Sequence, residues 1–182
     1  MPLLELSVKE DPTNDRNMHY LGREYMYYGK YNESIDILIK HLNLKSATWK
    51  DERCASMRFI ARCYKYLKRY DESNMWLLKA IKEAPYLRDP YVEMALLKYE
   101  LNDFEGIYFY INKALEIKSH QKTYNNEVFS WNETPYDLLA IACYNLNKKE
   151  EALNAINHAL EISPYDERLL NNKKIIIDSL NI

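Results

Sequence analysis

The sequence predicts an all-α fold made of stacked pairs of antiparallel helices, and three features of the chain support this. Only 3 of the 182 residues are glycine, and strand-like alternation of apolar and polar residues is scarce, so sheets are not expected. Apolar residues instead recur three and four positions apart, as on one face of a helix. A related pattern returns at intervals of 34 to 45 residues, which indicates an internal repeat.

The repeat consists of two helices, each with a small residue at a fixed place. In the first helix, a tyrosine or cysteine follows the small residue about one turn later, which is the signature of the tetratricopeptide repeat (TPR). Small residues are needed there because two helices can cross closely only where their side chains are small. The sequence therefore predicts a TPR-type α-α superhelix (solenoid) of about four helix pairs plus a C-terminal capping helix. The close-approach points are Gly22, Ala61, Ala95 and Ala140 on the first helices. The matching positions of the second helices are His41, Ala80, Ala114 and Ala159, of which His41 stands where a small residue is usual.

The spacing of the repeats sets the domain organisation. The interval of 34 residues from Ala80 to Ala114 is the usual TPR length. The intervals before and after it are 39 and 45 residues, so insertions are expected around residues 44–50 and 119–133. We predict an N-terminal extension (1–13), four TPR-like helix pairs (14–165) with the longer insertion at about 119–133, and a capping helix (166–182). Four apolar residues are expected to cover the end of the array: Leu169, Leu170, Ile176 and Leu180.

Proline positions predict where three helices begin. Proline is tolerated in the first turn of a helix, and a short polar side chain just before it can cap free backbone N–H groups. The three pairs of this form are Asp89-Pro90, Thr134-Pro135 and Ser163-Pro164.

Charge and composition exclude several classes of function. The 25 basic and 27 acidic residues are spread along the chain and give a formal net charge of -2, so no nucleic-acid partner is expected. No segment is long and apolar enough to span a bilayer, so we expect a cytoplasmic protein without a membrane partner. Catalytic, cofactor and metal sites are not expected, because the sequence has no phosphate-binding glycine loop and no metal-ligand spacing. The cysteines, predicted to be buried thiols in a reducing compartment, are Cys54, Cys63 and Cys143.

Six short motifs occur in order along the chain. They are Asp11-Pro12, Leu21-Gly22-Arg23-Glu24, Trp49-Lys50-Asp51-Glu52-Arg53, Ala61-Arg62-Cys63-Tyr64, Glu83-Ala84-Pro85-Tyr86-Leu87-Arg88-Asp89-Pro90 and Tyr136-Asp137-Leu138-Leu139-Ala140-Ile141-Ala142. Over about residues 10–172, the sequence resembles the helical region C-terminal to bacterial and phage family 2 glycosyltransferases. In that family, catalysis belongs to an N-terminal nucleotide-sugar domain with an Asp-x-Asp motif, which this sequence lacks. The resemblance implies a non-catalytic accessory part that holds a nucleotide-sugar transferase domain, forms a homodimer or docks an acceptor protein.

Two cationic stripes predict a binding groove. Three basic side chains, spaced three and four apart, share one face of the first helix of repeat one, and three more repeat the pattern in repeat two. First helices line the concave surface of a TPR array, so we expect the stripes to lie side by side with several tyrosines. Arginine forms paired bonds to carboxylates or phosphates and tyrosine offers flat apolar area, so the groove would suit an acidic extended peptide that carries either group. The predicted groove residues are Arg16, His19, Arg23, Tyr27, Arg58, Arg62, Lys65, Tyr66, Tyr99 and Tyr144.

Two alternatives accompany the groove. A stand-alone adaptor that binds the acidic peptide is the alternative to glycosyltransferase association. A solvated face, with the basic side chains paired to Glu24, Asp51 and Glu52, is the alternative to a groove. In the long insertion, which a generic TPR lacks, Tyr124 and Trp131 are predicted to be surface anchors for a partner.

Overall fold

The computed structural model describes residues 1–180, and over that range it contains ten α-helices and no strand. The all-α prediction is therefore confirmed. The helices belong to two compact units, unit 1 (Met1–Pro85) and unit 2 (Tyr86–Ile182). Each unit contains two antiparallel helix pairs and one additional helix.

Unit 1 has its apolar core between the two pairs α2/α3 and α4/α5. The additional helix, α1, lies inside the predicted N-terminal extension and packs on α2, where Tyr25 donates a hydrogen bond to Glu5. The helices are α1 (Pro2–Glu10), α2 (Asp15–Tyr27), α3 (Tyr31–Asn43), α4 (Lys50–Tyr66) and α5 (Tyr70–Glu83).

Unit 2 repeats this arrangement with the pairs α6/α7 and α8/α9, and α10 packs on α9. The segment between α7 and α8 contains a single 3₁₀ turn, Val128–Ser130, and coincides with the predicted long insertion. The helices are α6 (Asp89–Glu100), α7 (Phe104–Glu116), α8 (Thr134–Asn145), α9 (Lys149–Ile162) and α10 (Glu167–Leu180).

The close approach predicted at Gly22 is present. A Cβ atom at Gly22 would collide with Cγ of Leu38 on the partner helix. The same contact is fixed by a hydrogen bond of 2.7 Å from the Ser34 hydroxyl to the Gly22 carbonyl. Helices α2 and α3 therefore cross at a point that only glycine fits.

All four helix pairs turn in the same way. In each pair, the residue just before the N-cap of the second helix has a positive φ. The backbone N–H of the N-cap residue then donates a hydrogen bond to the carbonyl five residues earlier, as in the Schellman motif. The four positive-φ residues are Gly29, Lys68, Asn102 and Asn147. Lys68 is the least suited of these, because left-handed backbone is unfavourable for residues other than glycine, asparagine and aspartate.

The long insertion is tied to the start of α6. Asp89 accepts hydrogen bonds from the Glu127 backbone N–H at 2.6 Å and the Asn126 side chain at 3.2 Å. Arg88 donates to the Ile117 carbonyl at 2.7 Å. Pro90 does lie in the first turn of α6, as predicted, but the cap residue is Arg88 and no side chain caps that helix. Asp89 therefore fastens the insertion instead of capping the helix.

Two predictions for the C-terminal region are wrong. Ser163-Pro164 does not open a helix, because Ser163 ends α9 and the α10 N-terminus is capped by Asp166, whose carboxylate accepts from the Leu169 N–H at 3.0 Å. In α10, Leu169 and Ile176 are buried as expected, whereas Leu170 is 47% exposed and Leu180 is also exposed. The buried face of α10, which packs on α9, is thus a narrow stripe formed by Leu169 and Ile176. The predicted capping range 166–182 includes residues 181–182, which lie outside the described residues.

Candidate functional site

A cavity of about 280 Å³ lies between α6, α8 and α10 of unit 2, and we call it the tyrosine cavity. Helix α6 contributes one side chain to the wall, and α8 and α10 contribute four each. Apolar groups form most of the lining, and amide and guanidinium groups stand among them. The lining residues are Tyr99, Ala140, Ile141, Tyr144, Asn145, Arg168, Asn172, Ile175 and Ile176.

An ion pair fixes the polar side of the tyrosine cavity. Arg168 donates a hydrogen bond of 2.7 Å to the nearly buried carboxylate of Asp137. Burial raises the pKa of Asp137 above its usual value, and the bond from Arg168 opposes this shift. The Arg168 side chain is more than half exposed, so its remaining N–H groups can reach a ligand. The Asn145 amide is oriented in turn by donating to the Ile141 carbonyl at 2.9 Å.

Tyr99 and Tyr144, both predicted from the sequence, line this one cavity. The α10 contributions were missed: Arg168, Asn172 and Ile175 were not among the predicted groove residues. Their spacing of four and three residues places them on one helix face, next to the buried line of Leu169 and Ile176. That spacing is a detectable signal that α10 has a second face besides its buried one.

In unit 1, the structure corrects two of the predicted groove residues. His19 and Arg58 are each only 1% exposed, so neither can contact a ligand at a surface. The reason is the depth of the helix packing, since 11 of the 17 residues of α4 are buried. Helical spacing identifies residues on a common face, but it does not show whether that face is covered.

His19 instead belongs to a buried polar network. Its Nδ1 lies 2.7 Å from the Ser56 hydroxyl, which lies 3.0 Å from Nδ1 of His41, and Nε2 of His41 is 3.4 Å from Glu52. Burial lowers the pKa of His19 to about 3, so the ring is neutral at ordinary pH. The network joins α2, α3 and α4 and has a structural role.

The other predicted residues of unit 1 remain at least partly accessible. Arg23 lies over the Tyr20 ring at 5.0 Å and 3.7 Å from Glu24. Tyr66 stacks on Tyr31 with 5.0 Å between ring centroids, and its side chain is still half exposed. The accessible set of the two cationic stripes and their tyrosines is Arg16, Arg23, Tyr27, Arg62, Lys65 and Tyr66.

The two predicted anchors of the insertion differ in their surroundings. Tyr124 is exposed, as a surface anchor requires. Trp131 is not such an anchor, because the Arg88 guanidinium lies 3.8 Å and the His120 ring 3.9 Å from its ring centroid. Two groups that close to one centroid must cover opposite faces of the ring. The Trp131 side chain therefore packs inside unit 2, between Arg88 next to α6 and His120 of the insertion.

Residues 1–180 contain no group of three or more His, Cys, Asp or Glu side chains that could hold a metal ion. In the same range, every helix is too short or too polar to cross a bilayer. The three cysteines are free and buried, as predicted.

Comparison with known proteins identifies the repeat type. Residues 134–166, which cover α8 and α9, match the tetratricopeptide repeat family model. The chain is similar to the transcription factor tau 131 kDa subunit of Saccharomyces cerevisiae, with 32% identity over 92 residues. This match covers 50% of the chain and 9% of the yeast protein, so the chain spans less than a tenth of that relative's length.

Solved structures share the fold over much more of the chain. YrrB, described as a TPR protein with an unusual peptide-binding site, superposes with a TM-score of 0.73 at 12% identity, covering 98% of this chain and 84% of YrrB. The first TPR domain of Spaghetti (RPAP3), bound to the HSP90 peptide SRMEEVD, gives a TM-score of 0.60 at 20% identity, covering 72% and 98%. The TPR-type fold predicted from the sequence is therefore confirmed.

Proposed function

We propose that this chain is a non-catalytic TPR adaptor that binds an extended segment of a partner protein in the tyrosine cavity. The observation that carries this proposal is the convergence of two tyrosine rings, two asparagine amides and one arginine on a single apolar cavity of about 280 Å³. Tyrosine and arginine are the side chains that most often dominate binding energy at protein interfaces. A largely apolar cavity with a few polar groups is the usual form of a recognition site.

The expected partner segment combines a large apolar side chain with an acidic group. The tyrosine rings and Ile175 supply apolar walls for the former. The exposed N–H groups of Arg168 supply donors for the latter, because guanidinium groups bind carboxylates through paired hydrogen bonds. The accessible basic residues of unit 1 favour an acidic partner as well. Two proteins of this fold, YrrB and the Spaghetti TPR domain, carry a peptide-binding site or a bound peptide.

Selection of a displayed peptide library against the full chain tests this proposal. The selected peptides should contain a large apolar residue close to an acidic one, and fluorescence anisotropy then measures their affinity. We expect Tyr144→Ala to weaken binding at least about tenfold, because a buried aromatic anchor contributes roughly 2 kcal/mol or more. The matched control is Tyr165→Ala, since Tyr165 belongs to the same unit, is 90% exposed and does not line the cavity. Equal binding to wild type and Tyr144→Ala would contradict the proposal.

A second candidate partner is a nucleotide-sugar transferase domain. The observation that favours it is the ordered set of motifs over residues 10–172 that resembles the helical region of family 2 glycosyltransferases. We expect this domain to co-purify with the chain in a bacterial cytoplasm, where the three cysteines would stay reduced. Separate elution of the two on a sizing column would rule this partner out, and the same column distinguishes a monomer from a homodimer.

A further inference from the structure

Unit 1 contains a second cavity, of about 340 Å³, between α4 and α5, and we call it the lysine cavity. Lys50 begins α4, and Met57 lies two turns further on the same helix. Lys79 and Lys82 are three residues apart on α5 and so share one face. Three exposed lysines and the buried Met57 thus line the same cavity. Glu83 completes the lining.

The carboxylate of Glu83 does not balance these lysines. It accepts a hydrogen bond of 2.8 Å from Nε of Arg53, and the same arginine donates to the carbonyls of Leu42 and Ala47 at 2.9 and 3.1 Å. Arg53 therefore compensates the charge of Glu83. The three lysines are left as an excess of positive charge at the cavity.

Other acidic groups nearby do not reach the cavity either. Asp51 and Glu52, which follow Lys50 in the chain, are buried in the helix packing and are not part of the lining. Lys79 lies over the Trp76 ring, with 4.0 Å from Nζ to the ring centroid. Within residues 1–180, none of the three lysines lies within 4.0 Å of a carboxylate oxygen.

We propose that the lysine cavity binds a phosphate monoester carried on a peptide segment of a partner. Lysine ammonium groups bind phosphate as point charges, and three of them match the dianion of a phosphate monoester better than the single charge of a carboxylate. The Arg53 guanidinium, which holds the lining residue Glu83, is already committed to that carboxylate and to two carbonyls. One turn before Lys79 and Lys82 on α5, the exposed side chains of Met75 and Leu78 offer apolar contact to residues that flank the phosphate. This contact favours an ester on a peptide over a free phosphate ion.

The test is a calorimetric titration of the full chain with a seven-residue peptide that has leucines on both sides of a central phosphoserine. The same peptide without phosphate and inorganic phosphate alone are the comparison ligands. We expect the phosphopeptide to bind at least about tenfold more tightly than either, and its affinity to fall as salt rises, because surface charges are screened. Tryptophan fluorescence provides a second readout, since a ligand that draws Lys79 away from Trp76 changes the surroundings of that ring.

The decisive variant is Lys50→Met/Lys79→Met/Lys82→Met, which keeps the long apolar stems and removes the charges. The matched control is Lys40→Met/Lys118→Met/Lys174→Met, which changes the net charge equally at exposed lysines outside the cavity. We expect the first variant to lose at least about tenfold in phosphopeptide affinity and the control less than about twofold. Circular dichroism confirms that each variant is folded. Equal losses in both variants, no loss in the first, or equal binding of phosphopeptide and inorganic phosphate would each overturn the proposal.

Discussion

The same repeat position holds a buried titratable side chain in both units, but the two side chains have opposite chemistry. His19 lies three residues before Gly22 in unit 1, and Asp137 lies three residues before Ala140 in unit 2. Burial lowers the pKa of His19 and raises that of Asp137, so in each unit it favours the neutral form. This repeat position is therefore part of the interior in both units. Which residue occupies it decides how the unit responds to pH.

The partners of these two residues differ as well. His19 is held by a neutral hydroxyl, that of Ser56, inside a network with no exposed member. Asp137 is held by Arg168, which faces the tyrosine cavity and solvent. Unit 1 thus uses its buried polar group to join helices, whereas unit 2 uses its group to orient a side chain at a candidate binding site.

The largest effect we expect is acid destabilisation of unit 1 through His19. Its pKa of about 3 in the folded chain is below the ordinary value of 6.5. The unfolded chain therefore binds a proton first as the pH falls. The contribution of His19 is fully present above pH 6.5 and is lost as the pH falls towards 3, with a total on the order of 3 to 5 kcal/mol. Urea unfolding between pH 7 and pH 4 measures most of this loss.

The control for this prediction is His19→Gln, which keeps a polar side chain but does not titrate. The variant should be less stable than wild type at pH 7 and should lose less stability on acidification. Asp137 has the opposite sign, because a raised carboxyl pKa gives a contribution that is present at low pH and lost as the pH rises. If His19→Gln and wild type lose stability in parallel, the comparison between the two residues fails.

The next effect concerns the helix crossing in the first pair. Gly22→Ala should destabilise unit 1 by about 1 to 3 kcal/mol, because the new methyl group would collide with the buried Leu38. The equivalent position in unit 2 is already alanine, at Ala140, and is tolerated. Thermal unfolding of Gly22→Ala, of Leu38→Ala and of the double variant measures the coupling. The cost of Gly22→Ala should largely disappear in the Leu38→Ala background, and a cost that stays the same there would mean that Leu38 is not its cause.

The sequence predicted most of the helix pairs because their signals are local. Small residues such as Gly22 and Ala140, and the helical spacing of apolar residues around them, act within about 20 residues of chain and repeat in every pair. The tyrosine cavity was predicted only in part. Tyr99 and Tyr144 follow from the repeat position, but the wall supplied by α10 was missed because that helix was interpreted only as a cap.

The errors arose where long-range packing decides the outcome. Helical spacing correctly put Arg58 on one helix face with Arg62 and Lys65, but it did not show that Arg58 is buried. The surroundings of Trp131 depend on Arg88, 43 residues away, and the role of Asp89 depends on a backbone group of the insertion. Such contacts leave no periodic signal in the sequence, so local rules assigned Trp131 to the surface and Asp89 to a cap.

A smaller effect is expected at the insertion of unit 2, a segment that unit 1 does not have. Asp89→Ala should destabilise the segment 117–133 by about 1 to 2 kcal/mol, because it removes the acceptor for the Glu127 N–H and the Asn126 amide. Tryptic cleavage after Lys118 and Lys122 should become faster, and the fluorescence of Trp131 should change.

The matched control is Asp103→Ala, which removes the cap at the Gly106 N–H of α7 and leaves the insertion contacts in place. It should lower overall stability by a similar amount without exposing Lys118 and Lys122 to trypsin. Equal cleavage rates for the two variants would show that Asp89 does not fasten the insertion.

The smallest stability change is expected at the turns between paired helices, where the two units have different residues. Unit 2 has asparagine at both positive-φ positions, Asn102 and Asn147, whereas unit 1 has Gly29 and Lys68. Lys68→Gly should stabilise unit 1 by roughly 0.5 to 1 kcal/mol, because it relieves a left-handed backbone strain of about 1 to 2 kcal/mol and is partly offset by the greater freedom of glycine when unfolded. Asn147→Gly should change stability by only a few tenths of a kcal/mol, since asparagine already tolerates this conformation. Chemical unfolding of both variants measures the difference, and equal effects would mean that the strain at Lys68 is relieved elsewhere in its turn.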